Sequence, residues 1–122
     1  YNNCTAQPDG CKTVSATGGY VYRGDHKSWD GQYIFGAWST GFDEMDGQIF
    51  MGTKGADGKW SMEIAEVTNL SELKGLGKPQ TGKLPYVLAF AQDNAGEVYA
   101  LTSITTGPVG TLDTIYKIVP AD

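Results

Sequence analysis

Short runs of β-branched and aromatic residues, punctuated by glycine, constrain this chain more than any other feature. They occupy residues 19–24, 32–38, 47–52, 60–67, 86–91, 97–102 and 114–119. Runs of this length bounded by turn residues read as strands, because branched and aromatic side chains suit a pleated, half-buried surface. The 17 glycines among 122 residues are about double the ordinary share of ~7%, which fits many strands joined by tight turns. Residues 32–38 are apolar on both alternating faces, the pattern of a strand covered on both sides. Residues 60–67 alternate instead. Trp60, Met62 and Ile64 fall on one face and Ser61 and Glu63 on the other, and such half-exposure predicts the outermost strand of a sheet.

A weak internal repeat supports this parsing. Asp30-Gly31-Gln32-Tyr33-Ile34-Phe35, Asp46-Gly47-Gln48-Ile49-Phe50 and Ala95-Gly96-Glu97-Val98-Tyr99 share one form: a glycine turn, a polar residue, then an apolar run. Hairpins need glycine for its positive φ, and the polar residue is expected to start each strand in solvent. Residues 68–84 break the pattern. Asn69 to Gly75 reads as one helical turn ended by Gly75, followed by a Gly/Pro-rich surface loop.

Four strands, a loop and three strands result. A propeller blade has four antiparallel strands, so the expected fold is all-β. Residues 19–67 form one four-stranded blade, 68–84 a connecting loop, and 85–119 three strands of a closing blade, flanked by an N-terminal loop at 1–18 and a tail at 120–122. The outer strand of the closing blade would come from an earlier part of the chain. The sequence starts at Tyr1, with neither an initiator Met nor a signal peptide, and so reads as a processed or truncated product.

The charge is −5, from 14 acidic and 9 basic residues. Nucleic-acid binding needs a basic face to displace counterions, and the nearest thing to one, Lys74, Lys78 and Lys83, lies in the 68–84 loop beside Glu72. No apolar run reaches the ~18 residues of a spanning helix, so no membrane span is expected. Cys4 and Cys11 are the only cysteines, and their spacing is not the C-x-x-C of redox and zinc sites. One histidine, His26, leaves no set of zinc ligands. A short-loop Cys4–Cys11 disulfide is expected, with two free thiols as the alternative; a disulfide implies an extracytoplasmic compartment. Asn3-Cys4-Thr5 and Asn69-Leu70-Ser71 read as glycosylation sequons.

Asp43, Glu44 and Asp46 could gather oxygens for calcium but lack the twelve-residue EF-hand pattern, so a solvated hairpin loop is expected. Asp93-Asn94-Ala95-Gly96 reads as an Asx turn. Tyr20, Tyr22, Tyr33, Trp38, Trp60 and Tyr99 read as core between blades rather than a carbohydrate platform. Ser39, Thr40, Thr102 and Ser103 end second strands, which open onto a face of a propeller disc, so they are the ligand-side candidates. His26 reads as an exposed loop residue, and no Ser-His-Asp set assembles around it.

Residues 17–24, Thr-Gly-Gly-Tyr-Val-Tyr-Arg-Gly, followed by Gly31-Gln32-Tyr33-Ile34-Phe35-Gly36, resemble the penultimate blade of the glucose/sorbosone dehydrogenase family. Residues 88–102, ending in Ile115-Tyr116-Lys117-Ile118-Val119, resemble its last blade. The resemblance implies a six-bladed propeller. In enzymatic members pyrroloquinoline quinone sits over the central channel with calcium, and sugars or related alcohols are oxidised. It also implies cationic cofactor contacts where this chain has Ser39, Tyr86 and Leu88, which are neutral. The family's general-base histidine belongs to an earlier blade, and His26 does not match it. Ser39, Thr40 and Tyr86 are therefore the candidate ligand-side positions, with no catalytic and no metal residue assigned.

Three functions follow as expectations. The chain is the C-terminal part of a secreted quinone-dependent dehydrogenase, whose partners are the remaining blades. Alternatively it belongs to a non-catalytic propeller that binds a sugar or protein ligand. In the third reading it is a small two-blade, lectin-like protein that closes a ring by trimerisation.

Overall fold

The computed structural model describes residues 13–43, 45–70, 83–107 and 113–121. Seven strands run through them: β1 (Ala16–Val21), β2 (Tyr33–Ala37), β3 (Gln48–Lys54), β4 (Trp60–Ile64), β5 (Tyr86–Gln92), β6 (Val98–Ser103) and β7 (Asp113–Lys117). A 3-10 turn, Lys27–Trp29, interrupts the β1–β2 connection. The strands form two antiparallel sheets, β1-β2-β3-β4 and β5-β6-β7. The fold is all-β, as the glycine-punctuated runs require. No described helix is long and apolar enough to cross a membrane.

β1 starts at Ala16, inside the segment expected to be loop. Ala16 and Thr17 pair with Ala37 and Gly36, and a bulge then shifts the register before Tyr20. Gly19 sits in that bulge with its α-carbon against the Ile34 carbonyl, where a Cβ would overlap it. The double glycine thus lets β1 start three residues earlier than the aromatic run suggests.

The sheets meet through β1 and β5, which run side by side. Thr17 Oγ1 donates to Val87 O at 3.1 Å, Gln92 Nε2 to Val21 O at 2.9 Å, and Arg23 N to Gly96 O at 3.2 Å. These contacts advance together along both segments, so the two edge strands point the same way. Behind them Tyr22, Ile34, Ile49 and Met51 pack against Leu84, Val87, Phe90, Val98 and Ala100. Each Val, Leu, Ile, Met or Phe side chain removed from water contributes about 1.5–3 kcal/mol. The approach is close: a Cβ at Gly36 would lie 2.9 Å from Phe90 Cζ, and one at Gly47 2.9 Å from Val87 Cγ2. Away from β1 and β5 the sheets diverge, leaving a cavity of about 700 Å³ bounded by Met51, Glu63 and Val67 on one side and Ala100, Thr102 and Tyr116 on the other.

Four expectations are corrected. β4 is the outer strand, but Trp60, Met62 and Ile64 are 54%, 43% and 48% exposed. The reason is register: Met51 pairs with Glu63, so Glu63 shares the face turned to the second sheet, and the Trp60 face turns away from it. Tyr20 is likewise exposed, whereas Tyr22 is fully buried between the sheets. Glu97 does not start its strand in solvent; it is 4% exposed. Of the three repeat glycines, Gly31 and Gly96 have φ near 86° and 85°, but Gly47 does not adopt positive φ and is needed for its close approach to Pro85 and Val87.

Candidate functional site

One end of both sheets gathers the end of β2, the start of β3, the start of β5 and the end of β6. Val87 N donates to Trp38 O at 3.1 Å and Gly47 N to Leu84 O at 3.0 Å, and Tyr86 pairs with Ser103. These bonds bring Ser39 and Tyr86, far apart in sequence, to the same place. Trp38 joins them: its ring stacks on Tyr86 with centroids 4.6 Å apart and planes 20° from parallel. Phe42 leans on the other side of the row, 5.8 Å from Trp38, and is 64% exposed. The result is an aromatic ledge that grades from buried Tyr86 to exposed Phe42.

A polar group sits beside the ledge. Thr40 Oγ1 donates to Asp46 Oδ2 at 2.7 Å, and Lys83 Nζ lies 3.4 Å from the same oxygen. Ser39 is fully buried; its hydroxyl accepts from Asp46 N at 3.2 Å and its carbonyl from Thr13 Oγ1 at 2.7 Å. A cavity of about 140 Å³ opens next to Asp46, Lys83 and Leu70. That is below the ~300 Å³ typical of an enclosing ligand pocket, so a ligand would lie along the ledge rather than inside it.

Of the expected ligand-side residues, Thr40 borders this surface, while Ser39 and Tyr86 hold it together from below. Ser103 also serves locally, its Oγ lying 3.0 Å from Thr105 Oγ1. Sequence reasoning missed Phe42 and the use of Asp46; the six-residue spacing from Thr40 to an Asp-Gly pair was the signal available. Asp46 belongs to a bonded loop rather than to a solvated acidic cluster.

The opposite end holds a different set. Tyr22 OH donates to Glu97 Oε2 at 2.9 Å, Asp25 N to Glu97 Oε1 at 3.1 Å, and Lys117 Nζ lies 3.7 Å from Glu97 Oε2. The Asp25 amide, with the Tyr22 hydroxyl, Lys117 and His26, holds the Glu97 carboxyl below its ordinary range despite its burial. Burial first, and then Glu97, pushes the Tyr22 phenol up. His26 is half-buried against Trp29 and Tyr22, with ring centroids 6.1 and 6.3 Å away, and not the open loop residue expected. The neighbouring turn is the Asx turn expected: Asp93 Oδ1 accepts from Ala95 N at 2.9 Å and Glu97 N at 3.0 Å.

Chemically, the ledge can stack on the apolar face of a ring and offer hydrogen bonds from Asp46, Thr40 and Lys83. His26 lies at the far end of the sheets, beside Tyr22 and Trp29. The quinone implied by the family resemblance does not fit. The Ser39 hydroxyl is committed to the Asp46 amide, Tyr86 is buried under Trp38, and a tri-carboxylate needs cationic forks. Among the described residues no group of three His, Cys, Asp or Glu could hold a metal ion. Asn69 is exposed; Asn3, Cys4 and Cys11 lie outside the described residues. No protein-family model matches the chain.

Proposed function

We propose that this chain contributes two neighbouring blades of a β-propeller similar to the glucose/sorbosone dehydrogenases. In this reading it acts as an extracytoplasmic, non-catalytic binding module for polyhydroxylated ligands such as sugars. The observation that carries the binding role is the aromatic row Phe42, Trp38 and Tyr86 beside Thr40, Asp46 and Lys83. Aromatic faces cover apolar ring surfaces while a carboxylate and hydroxyls satisfy ring hydroxyls. Support for the propeller comes from β1 and β5, inner-edge strands of successive sheets that run side by side in one direction, with the sheets splaying apart behind them. Blades arranged radially around a channel have this relation.

The test is a titration of the protein with a panel of sugars and polyols, followed by tryptophan fluorescence, with pyrroloquinoline quinone and calcium in a parallel series. Saturable sugar quenching, lost in Phe42→Ala, and no quinone uptake is the expected result. Stoichiometric quinone binding with sugar-dependent dye reduction would restore the dehydrogenase reading. A flat response to every sugar sinks the binding reading.

A further inference from the structure

Asp30-Gly31, Asp46-Gly47 and Asp57-Gly58 are Asp-Gly pairs among the described residues; Asp9-Gly10 lies outside them. An aspartate before glycine can close a ring on the next peptide, because glycine has no Cβ to shield its amide nitrogen. The fold treats the three pairs differently. Asp30 is held by Arg23 Nη1 at 3.0 Å, and Gly31 N donates to Tyr22 O at 3.1 Å. Asp46 Oδ2 takes Thr40 Oγ1 at 2.7 Å and Lys83 Nζ at 3.4 Å, while Gly47 N donates to Leu84 O at 3.0 Å. In both pairs the carboxyl and the nitrogen are bound to other segments of the fold.

Asp57 stands at the tip of the β3–β4 hairpin, where residues 53–60 are all exposed. Gly58 N donates to Gly55 O at 2.9 Å and Gly58 has φ 79°, a tight turn followed by a bulge glycine. Asp57 Oδ1 accepts from Lys59 N at 3.0 Å, so the carboxyl reaches forward across the Gly58 peptide. These bonds stay within the turn itself, and exposed tips of this kind open at little cost in free energy. A Cβ built on Gly58 meets nothing within 4 Å, so the space around the nitrogen is open.

We propose that Asp57 is a site of spontaneous isoaspartate formation, selected by the fold over Asp30 and Asp46. The carboxyl takes a proton from solvent and Gly58 N attacks Asp57 Cγ. The new C–N bond closes a five-membered succinimide as the nitrogen's proton and the carboxyl's hydroxyl leave as one water. Water then re-enters at either carbonyl. Attack at Cγ restores aspartate; attack at the Asp57 main-chain carbonyl breaks its bond to Gly58 N and leaves the chain running through Cβ and Cγ. The net change is an isomerisation that needs no oxidant. The product has one extra backbone carbon at the tip, so the Gly55 N to Lys59 O bond of 2.7 Å loses its geometry and the β3–β4 ladder shortens from that end. β3 and β4 are the outer pair of their sheet, so further blades in the propeller reading leave this tip open, and the proposal is independent of what the ledge binds.

The test is prolonged incubation of the intact chain in warm, neutral buffer, followed by trypsin and electron-transfer fragmentation, which distinguishes the two backbones. Cuts after Lys54 and Lys59 isolate Asp57 on residues 55–59, while Asp30 and Asp46 share residues 28–54. In folded protein, isoaspartate is expected at Asp57 about tenfold faster than at Asp30 or Asp46, as local protection dictates. In urea the three pairs should react at similar rates, because only the fold separates them. Asp57→Glu, whose ring would need six members, should abolish the product with far-UV circular dichroism unchanged. Folded protein in which Asp30 or Asp46 keeps pace with Asp57 overturns the proposal. So does an Asp57 that stays intact in folded protein, and so does the same order of rates persisting in urea.

Discussion

The Tyr22 hydroxyl donates to Glu97 across 2.9 Å, and this bond fastens the two sheets at the end opposite the Trp38–Tyr86 stack. Both groups are within 4% of full burial, so neither can exchange its partner for water. Tyr22→Phe keeps the ring and its edge-on contact with Trp29 but leaves the carboxylate a donor short. A loss of about 1–2 kcal/mol is expected, read as a lower urea midpoint at constant slope. An unchanged midpoint would mean the bond contributes nothing net.

Acid should weaken the same joint. Glu97 is held below its ordinary 4.5, first by the Asp25 amide, so the unfolded chain binds its proton more tightly than the folded one. Stability from this group is therefore complete above pH 4.5 and declines as pH falls from there toward the depressed folded value. Asp93 adds to the same decline, being lowered first by the Glu97 amide and then by the Tyr99 hydroxyl. Glu97→Gln should flatten the stability profile below pH 4.5. A profile as steep as that of the native protein would assign acid sensitivity elsewhere.

Two glycines with similar φ should respond differently to alanine. Gly58 (φ 79°) has nothing within 4 Å of a built Cβ, whereas at Gly96 (φ 85°) that atom would sit 2.6 Å from the Arg23 carbonyl oxygen. Backbone strain alone costs about 1 kcal/mol at Gly58. Strain plus overlap costs roughly 3 kcal/mol or more at Gly96, where the Arg23–Gly96 bond between the sheets would also be displaced. Parallel thermal melts of the two variants check the ordering.

The ledge separates stability from binding. Trp38→Ala removes the stack on Tyr86 and should cost about 3 kcal/mol. Phe42→Ala, at a residue 64% exposed, should change stability by less than ~0.5 kcal/mol while removing sugar affinity. Equal losses of stability in both variants would show Phe42 to be a structural residue instead.

The strands were legible because their signals are local. Glycine turns and branched runs placed all seven, missing mainly the first residues of β1, where Gly18-Gly19 hid a strand inside what reads as loop. Burial was legible only where one face is unambiguous. Trp60, Met62 and Ile64 alternate correctly, yet alternation cannot say which face meets the second sheet; that depends on the pairing of Met51 with Glu63 and on the long-range contact of β1 with β5. Glu97 misled for the same reason. A glutamate after a turn glycine belongs in solvent by default, and only Tyr22, 75 residues away, gives it a buried partner. At the candidate site, Ser39 and Tyr86 were identified as neighbours in function, but their hydroxyls and rings turned out to support a surface finished by Phe42 and Asp46.

The three tryptophans fall in three different surroundings, so the chain carries its own optical reporters. Trp60 stands 54% exposed on β4, Trp38 stacks on Tyr86, and Trp29 meets the Tyr22 ring edge-on at 5.6 Å. A dissolved quencher reaches Trp60 first, so its emission is the red, easily suppressed fraction. Loosening of the Tyr22–Glu97 end registers at Trp29, and loosening of the ledge at Trp38. Single-tryptophan variants would therefore show whether the two ends of the sheet pair let go together or in sequence.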